Sequence, residues 1–473
     1  MNAEIAELTA TMRGRGEWEH RRFFPPGPKL AICLSGGDGT LAGLSETELI
    51  EVAAAARRQT AWAQARELAA IAELTRRRTR DERDDHPDYR VLSAHESVVE
   101  EVAAALTLTS ESAATQVHLA ERLHTDLPET RRALEAGLLD LPRARAISDL
   151  TDHLPEDVTA SVEEAVIEQA SEQTTGQLRR RLRRVVQRLA PEQVERRKRE
   201  AIAGRRLEVW ETQDGTADLA LCDLAATDAH AIHNKITAIA HSLRQDGDVR
   251  SLDQIRADLA QQLLRGTPLP EAARAVFTEQ VEPIAPPATS PPSLTATAAV
   301  SAEGAPTASV PLECRDTADV LADVIGARLA QVTEYARKQG RLDGLDARLR
   351  HSVRELQDQV AAARDAHCEA ADHRHTGYRP PAAMRKVIEA RHPVCVFPSC
   401  NRRSDRCDLD HTSPWSQDGQ GRTCPCNLAP LCRRHHRSKQ SPRWALYQPW
   451  SGLLIWVTPA GTWHIVRPER RRE

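Results

Sequence analysis

The sequence predicts a mainly α protein that ends in a small module of different character. Three observations point there. Alanine and leucine supply most of the apolar volume while aromatic residues are only 3% of the chain, a balance that favours helices. Apolar residues recur at helical spacing through most of residues 46–270. Six of the ten cysteines and five of the eight tryptophans fall after residue 394. With 473 residues there is room for two or three domains, since one core rarely grows beyond about 250–300 residues.

The elements follow in order. Residues 1–45 form an N-terminal segment with no apolar core run of the kind a signal peptide needs. Within it, LAICLSGGDGTLAG (30–43) is similar to the phosphate loop of lipid and NAD kinases. That fold needs alternating strands and helices downstream, and helix follows helix instead, so a turn ahead of the next helix is expected. A helical domain spans 46–278, opened by the capping pattern Ser45-x-x-Glu48. Further helices are expected near 97–123, 128–152, 158–190, 225–243 and 251–265. LEVWETQDGTADLAL (207–221) alternates around Asp214-Gly215 and predicts one β-hairpin. Residues 279–312, rich in Pro, Ala, Ser and Thr without a periodic apolar face, predict a disordered linker. A helical hairpin is expected at 313–375, and the cysteine-rich module occupies 378–473.

Two helical segments invite a nucleic-acid reading. Residues 100–123 have a helix-turn-helix pattern, with Ser110 expected to cap a second helix exposing Glu111, Thr115, Gln116 and His118. That helix lacks the basic residues of a recognition helix, which favours bundle packing. Residues 178–200 carry a basic amphipathic pattern, for which a solvated or acid-paired face is at least as good an account as phosphate binding.

The net charge of −4 hides an asymmetry. Residues 391–443 hold ten Lys/Arg and four Asp/Glu, so a locally basic segment sits on an acidic chain and suggests an anionic partner. No run of about 18 apolar residues predicts a membrane span. A soluble, cytoplasmic protein without membrane association is expected, and its cysteine cluster then reads as metal binding before disulfides.

Within 395–440, Cys395-x4-Cys400 and Cys432-x2-His435 supply two soft ligand pairs at zinc spacing, the second on an expected helix. Cys407, Cys424 and Cys426 are spare thiols nearby. His436 follows His435 directly and would point about 100° around the helix. Asp410 and His436 together offer a hard O/N site for a catalytic divalent ion, with His411 beside the carboxylate and Asp408 on the same strand face. Asn427 would serve as N-cap for a helix beginning at Leu428. Arg437 and Lys439 are candidate phosphate contacts or plain surface charges.

These pieces resemble the HNH endonucleases of ββα-metal fold, and more closely the bacterial HNH-domain proteins with a long N-terminal helical domain of unknown function. The resemblance rests on YRPPAAMRKVIEARHPVCVFPSC (378–400), CDLDHTSPW (407–415) and CPCNLAPLCRRHHRSKQ (424–440), with strands expected in 444–466. It is looser over 40–270. It implies a zinc-stapled ββα-metal module at 378–473. It further implies His411 as general base, Asn427 as the residue orienting the base loop, and Asp410 and His436 as catalytic metal ligands. Cys395, Cys400, Cys432 and His435 would hold structural zinc, with His435 standing where much of the family has Cys. The expected activity is metal-dependent hydrolysis of phosphodiester bonds in nucleic acid, double-stranded DNA first. The active-site ion would be Mg2+, with Mn2+, Ni2+ or Zn2+ as alternatives. The rival expectation is a non-catalytic zinc-stapled DNA-binding or regulatory protein. The helical regions are candidates for homo-oligomerisation.

Overall fold

The computed structural model describes residues 24–35, 41–84, 92–212, 214–245, 247–268, 313–340, 342–367, 375, 377–415 and 421–468. The 279–312 segment and the Gly-Gly-Asp-Gly-Thr stretch lie outside them. The apolar run before that stretch is a helix, α1 (Pro28–Ser35), not the strand a phosphate loop follows. Among the described residues the chain is mainly helical with three small sheets. It divides into two units, Met1–Val185 with Ala305–Glu473, and Val186–Gly304.

In the first unit, α2 (Glu46–Asp84) is the long helix opened by Ser45, whose amide donates to Glu48 Oε2 at 2.9 Å. The helices break where the chain supplies caps, as the pattern in 100–123 predicts and the spans expected at 128–152 and 158–190 do not. α3 (Ala94–Leu106) starts with a full capping box at Ser93 and Glu96 and ends at Thr107 in the left-handed region. α4 (Ser110–Thr125) is capped by Thr109, which accepts from Ser112 N, rather than by Ser110. α3 buries Val98, Val99, Val102 and Ala103, while Leu106 stays exposed. α5 (Pro128–Glu135) and α6 (Leu141–Thr151) are parted by Gly137, at φ 70°, and restarted by the Asp140 cap. α7 (Glu156–Ala170) and α8 (Thr175–Leu189) are parted at Thr174, which Gln177 caps reciprocally.

The second unit contains α9 (Pro191–Ala203), the antiparallel hairpin β1 (Arg206–Glu211) and β2 (Ala217–Cys222), α10 (Ala226–Gln245) and α11 (Leu252–Arg265). Gly215 provides the positive φ the turn needs. Ile239, Ala240, Ile255 and Leu259 form the core between α10 and α11.

Beyond residue 312, α12 (Glu313–Lys338) and α13 (Leu345–His367) make the expected helical hairpin. It is welded to the C-terminal sheet β5 (Ala445–Trp450), β6 (Leu453–Val457) and β7 (Trp463–Val466): Ile325, Leu329, Leu349 and Val353 share one core with Trp450, Leu453, Ile455 and Val457. The module itself holds α14 (Ala382–Arg391), the antiparallel pair β3 (Asp408–His411) and β4 (Leu428–Leu431), and α15 (Arg433–Gln440). The helix expected at Leu428 is instead β4, so Asn427 caps no helix. Leu428–Leu431 pair with Asp408–His411 and all four are buried, and Pro430 accepts from Val396 N, so strand pairing and burial override a capping signal. Trp456 is fully buried beneath, donating Nε1 to the Val396 carbonyl at 2.8 Å.

Candidate metal centre and paired-histidine site

One tight turn and one helix start converge on the first site. Cys395 and Cys400 bracket a tight turn in which Ser399 takes φ 71° and Cys400 N donates to Phe397 O. Cys432 stands at the N-terminal boundary of α15, and His435 lies one turn in. The three Sγ atoms and one His435 nitrogen lie within 4.8 Å of one another. His435 Nδ1 is 3.2 Å from Cys432 Sγ and 3.4 Å from Cys395 Sγ. Ligands at about 2.3 Å from a tetrahedral zinc stand roughly 3.8 Å apart, so the spacing suits such an ion. Among the described residues this is the one group of three or more such side chains. The Cys3His group can hold a metal ion such as zinc. Of the spare thiols, Cys407 hydrogen-bonds Cys395 and donates to the Arg403 carbonyl at 3.3 Å without joining the four, and Cys424 is raised in pKa first by its hydrogen bond with Cys426.

Burial alone would pull the His435 imidazole down, but the Cys400 and Cys432 sulfurs and the Glu100 carboxylate overrule it and push it up to about 11. Hydrogen bonding within the group lowers the Cys432 thiol, chiefly through Cys395, and raises the Cys395 thiol, first through Cys400. His435 is packed flat against Phe397, ring centroids 3.9 Å apart and 4° from parallel.

His436 turns the other way. Its Nε2 is 3.3 Å from Asp410 Oδ1, across the gap between α15 and β3. Lys439, one turn on, donates Nζ to Asp410 Oδ2 at 2.6 Å and to the His411 carbonyl. Arg437 pairs with Glu96 at 3.4 Å. Both candidate phosphate contacts are thus engaged within the protein. Asp408 faces solvent, 3.9 Å from Arg433.

His411 ends β3 and is 5% exposed. Its ring stacks on Tyr378 at 5.2 Å, and Nε2 is 2.9 Å from Thr423 Oγ1. The Thr423 hydroxyl donates to the Tyr378 carbonyl at 3.2 Å, so it accepts from His411 Nε2–H and leaves the lone pair on Nδ1. Burial and, secondarily, Lys439 lower the His411 pKa against the pull of Asp410, which favours the neutral ring. Asn427 ties the loop that follows. Its Oδ1 accepts from Ser413 N at 2.8 Å and Thr412 Oγ1 at 2.9 Å, and its Nδ2 donates to Ser413 O and Arg422 O. Gly421, at φ 83°, closes the same loop where a Cβ would collide with the Pro414 carbonyl.

Sequence reasoning missed three participants. Tyr378 and Thr423 reach His411 from outside β3, and no spacing rule joins them to it. Glu100, on α3, reaches His435 Nε2 at 2.9 Å from 335 residues away. A buried acid in an apolar helix face was the available signal.

Comparison with known proteins supplies the family. The model of a domain of unknown function, DUF222, matches residues 55–392, well over half of the chain. The chain belongs to the DUF222 family. The match ends at His392, before the Cys/His group. Two similar relatives are the uncharacterized proteins Rv3776 and Rv2100 of Mycobacterium tuberculosis. Each is 28% identical, over 91% and 93% of this chain respectively and 79% of the relative. No solved structure matches. Among the described residues, no helix is long and apolar enough to cross a membrane.

Proposed function

We propose that this DUF222 protein is a metal-dependent endonuclease of HNH type, hydrolysing phosphodiester bonds in nucleic acid, with double-stranded DNA as the first candidate. The observation that carries the reading is the division of labour around β3. One buried histidine is held by its Nε2 with Nδ1 left basic, the adjacent carboxylate faces a second histidine, and an asparagine braces the loop between them. A module that only bound DNA would need none of these constraints. The basic 391–443 segment provides the charge to attract a phosphate backbone.

In this reading Asp410 and His436 would hold a divalent ion. Such an ion would neutralise charge growing on the phosphoryl and leaving oxygens. His411 Nδ1 takes a proton from water as the water oxygen bonds to phosphorus. The bond from phosphorus to the leaving sugar oxygen breaks, and that oxygen gains a proton from solvent. Asn427 keeps the His411 loop in place during the displacement. The four-ligand Cys/His group binds zinc and staples the module, supplying folding energy that its small core lacks.

The test is nicking of supercoiled plasmid by the purified full chain across Mg2+, Mn2+, Ni2+ and Zn2+. Wild type should cut with at least one ion, and His411→Ala should lose about a hundredfold or more of that rate. No cutting with any ion, or equal cutting by His411→Ala, would defeat the reading. Plasmid retention without cutting would then favour a zinc-stapled binding module.

A further inference from the structure

We infer that Glu100 is the outer-sphere partner of the metal ligand His435, so that metal occupancy of the Cys/His group and the seating of helix α3 on the C-terminal module are coupled. This rests on the zinc reading of that group given above. A metal-ligating histidine donates its second N–H to a carboxylate or carbonyl, which fixes the tautomer and orients the ring. Here Nδ1 faces the sulfurs and Nε2 lies 2.9 Å from Glu100 Oε2.

The carboxylate is built in, not incidental. Glu100 is 1% exposed, and a buried charge survives only with partners. Those partners are His435 and Arg434 from the module and the Ser110 hydroxyl, which donates to Oε2 at 2.9 Å. Only Ser110 belongs to the helical part, so two of the three exist only when α3 is docked. Neighbouring contacts follow the same seam. Trp444 Nε1 donates to Ser97 Oγ at 3.1 Å, and Ala104 sits in one apolar cluster with Cys395, Phe397 and Trp444. An ion on the Nδ1 side fixes the imidazole as an Nε2–H donor aimed at α3. Its loss removes the bond that holds the ring against the sulfurs and so slackens the Nε2–H contact that seats Glu100. By linkage, whatever strengthens the docking of α3 also strengthens the hold on the ion.

Glu163 provides the internal control. It is 3% exposed and accepts from the Thr130 amide at 2.7 Å, a contact between α7 and α5 that does not reach the module. The experiment follows zinc release from the full-length protein to a chromogenic chelator. Glu100→Gln should release zinc roughly 10–100 times faster than wild type, and Glu163→Gln should release at the wild-type rate. Ser110→Ala, which removes only the supporting hydroxyl, should shift release in the same direction by a smaller factor. Stripping zinc from wild type should raise amide exchange across residues 94–106 while α6 and α7 keep their protection. Wild-type release rates in Glu100→Gln, equal losses in the two glutamine variants, or unchanged exchange at 94–106 would each overturn the inference. A wild type that retains no zinc after purification with zinc present would instead overturn the metal reading beneath it.

Discussion

At the scale of single residues, neighbours rather than identities set the chemistry. His435 and His436 are adjacent on α15, yet one is buried among sulfurs and the other faces a carboxylate. The same holds for His411, whose basic nitrogen is chosen by Thr423. Thr423→Val keeps the shape and removes the acceptor for Nε2–H. Losing a buried hydrogen bond of about 1 kcal/mol should lower plasmid cleavage about 5–10-fold while KM for DNA stays level, read by single-turnover and steady-state rates. His392 makes a separate prediction, about stability. It is 4% exposed with Nε2 unpaired, and burial lowers its pKa to about 3 from the usual 6.5. The unfolded chain therefore binds the extra proton first. The stability this neutral ring provides is complete above pH 6.5 and is lost as pH falls toward 3, by at most about 1.4 kcal/mol per pH unit. Denaturant titrations at pH 7 and pH 5 should show a smaller acid loss in His392→Asn than in wild type. Equal losses would assign the acid sensitivity elsewhere.

At the scale of elements, what local sequence encodes was legible and what distant contacts impose was not. The Ser45 cap, the 207–221 hairpin and the α12–α13 pair follow from caps, alternation and periodicity. The Cys-x4-Cys and Cys-x2-His spacings are likewise local, so the four ligands could be named without a fold. The helix-turn-helix pattern in 100–123 marked the break before Ser110, but long apolar-periodic runs hid those at 136–140 and 171–174, because helical periodicity continues in phase across a short connection. β4 was misread because four residues are too few to show a period. Its strand state comes from pairing with Asp408–His411, and Thr423 and Tyr378 stayed invisible for the same reason. Gly137 tests one of the breaks. At φ 70°, a Cβ there would stand 2.9 Å from Arg58 Cβ and 3.0 Å from its carbonyl. Gly137→Ala should cost about 1–4 kcal/mol through backbone strain and crowding of α2, measured as a lowered melting temperature. An unchanged melting temperature would mean the α5–α6 connection can shift freely.

At the scale of the whole molecule, the cysteine-rich module is not an appendage. Its sheet is cored against α12 and α13, and its Cys/His group is flanked by α3, so its folding draws on segments more than 300 residues apart. A composition shift marks where such a module begins but says nothing of what covers it. The DUF222 match, ending just before Cys395, likewise spans the elements that brace the site without including its ligands. The account's central claim is that the two adjacent histidines serve two different sites. The most direct test measures zinc content and plasmid nicking together for His435→Ala and His436→Ala. The account predicts that His436→Ala keeps wild-type zinc and loses cleavage, while His435→Ala loses zinc and with it the folded module. Wild-type cleavage in His436→Ala, or full zinc retention in His435→Ala, would contradict it.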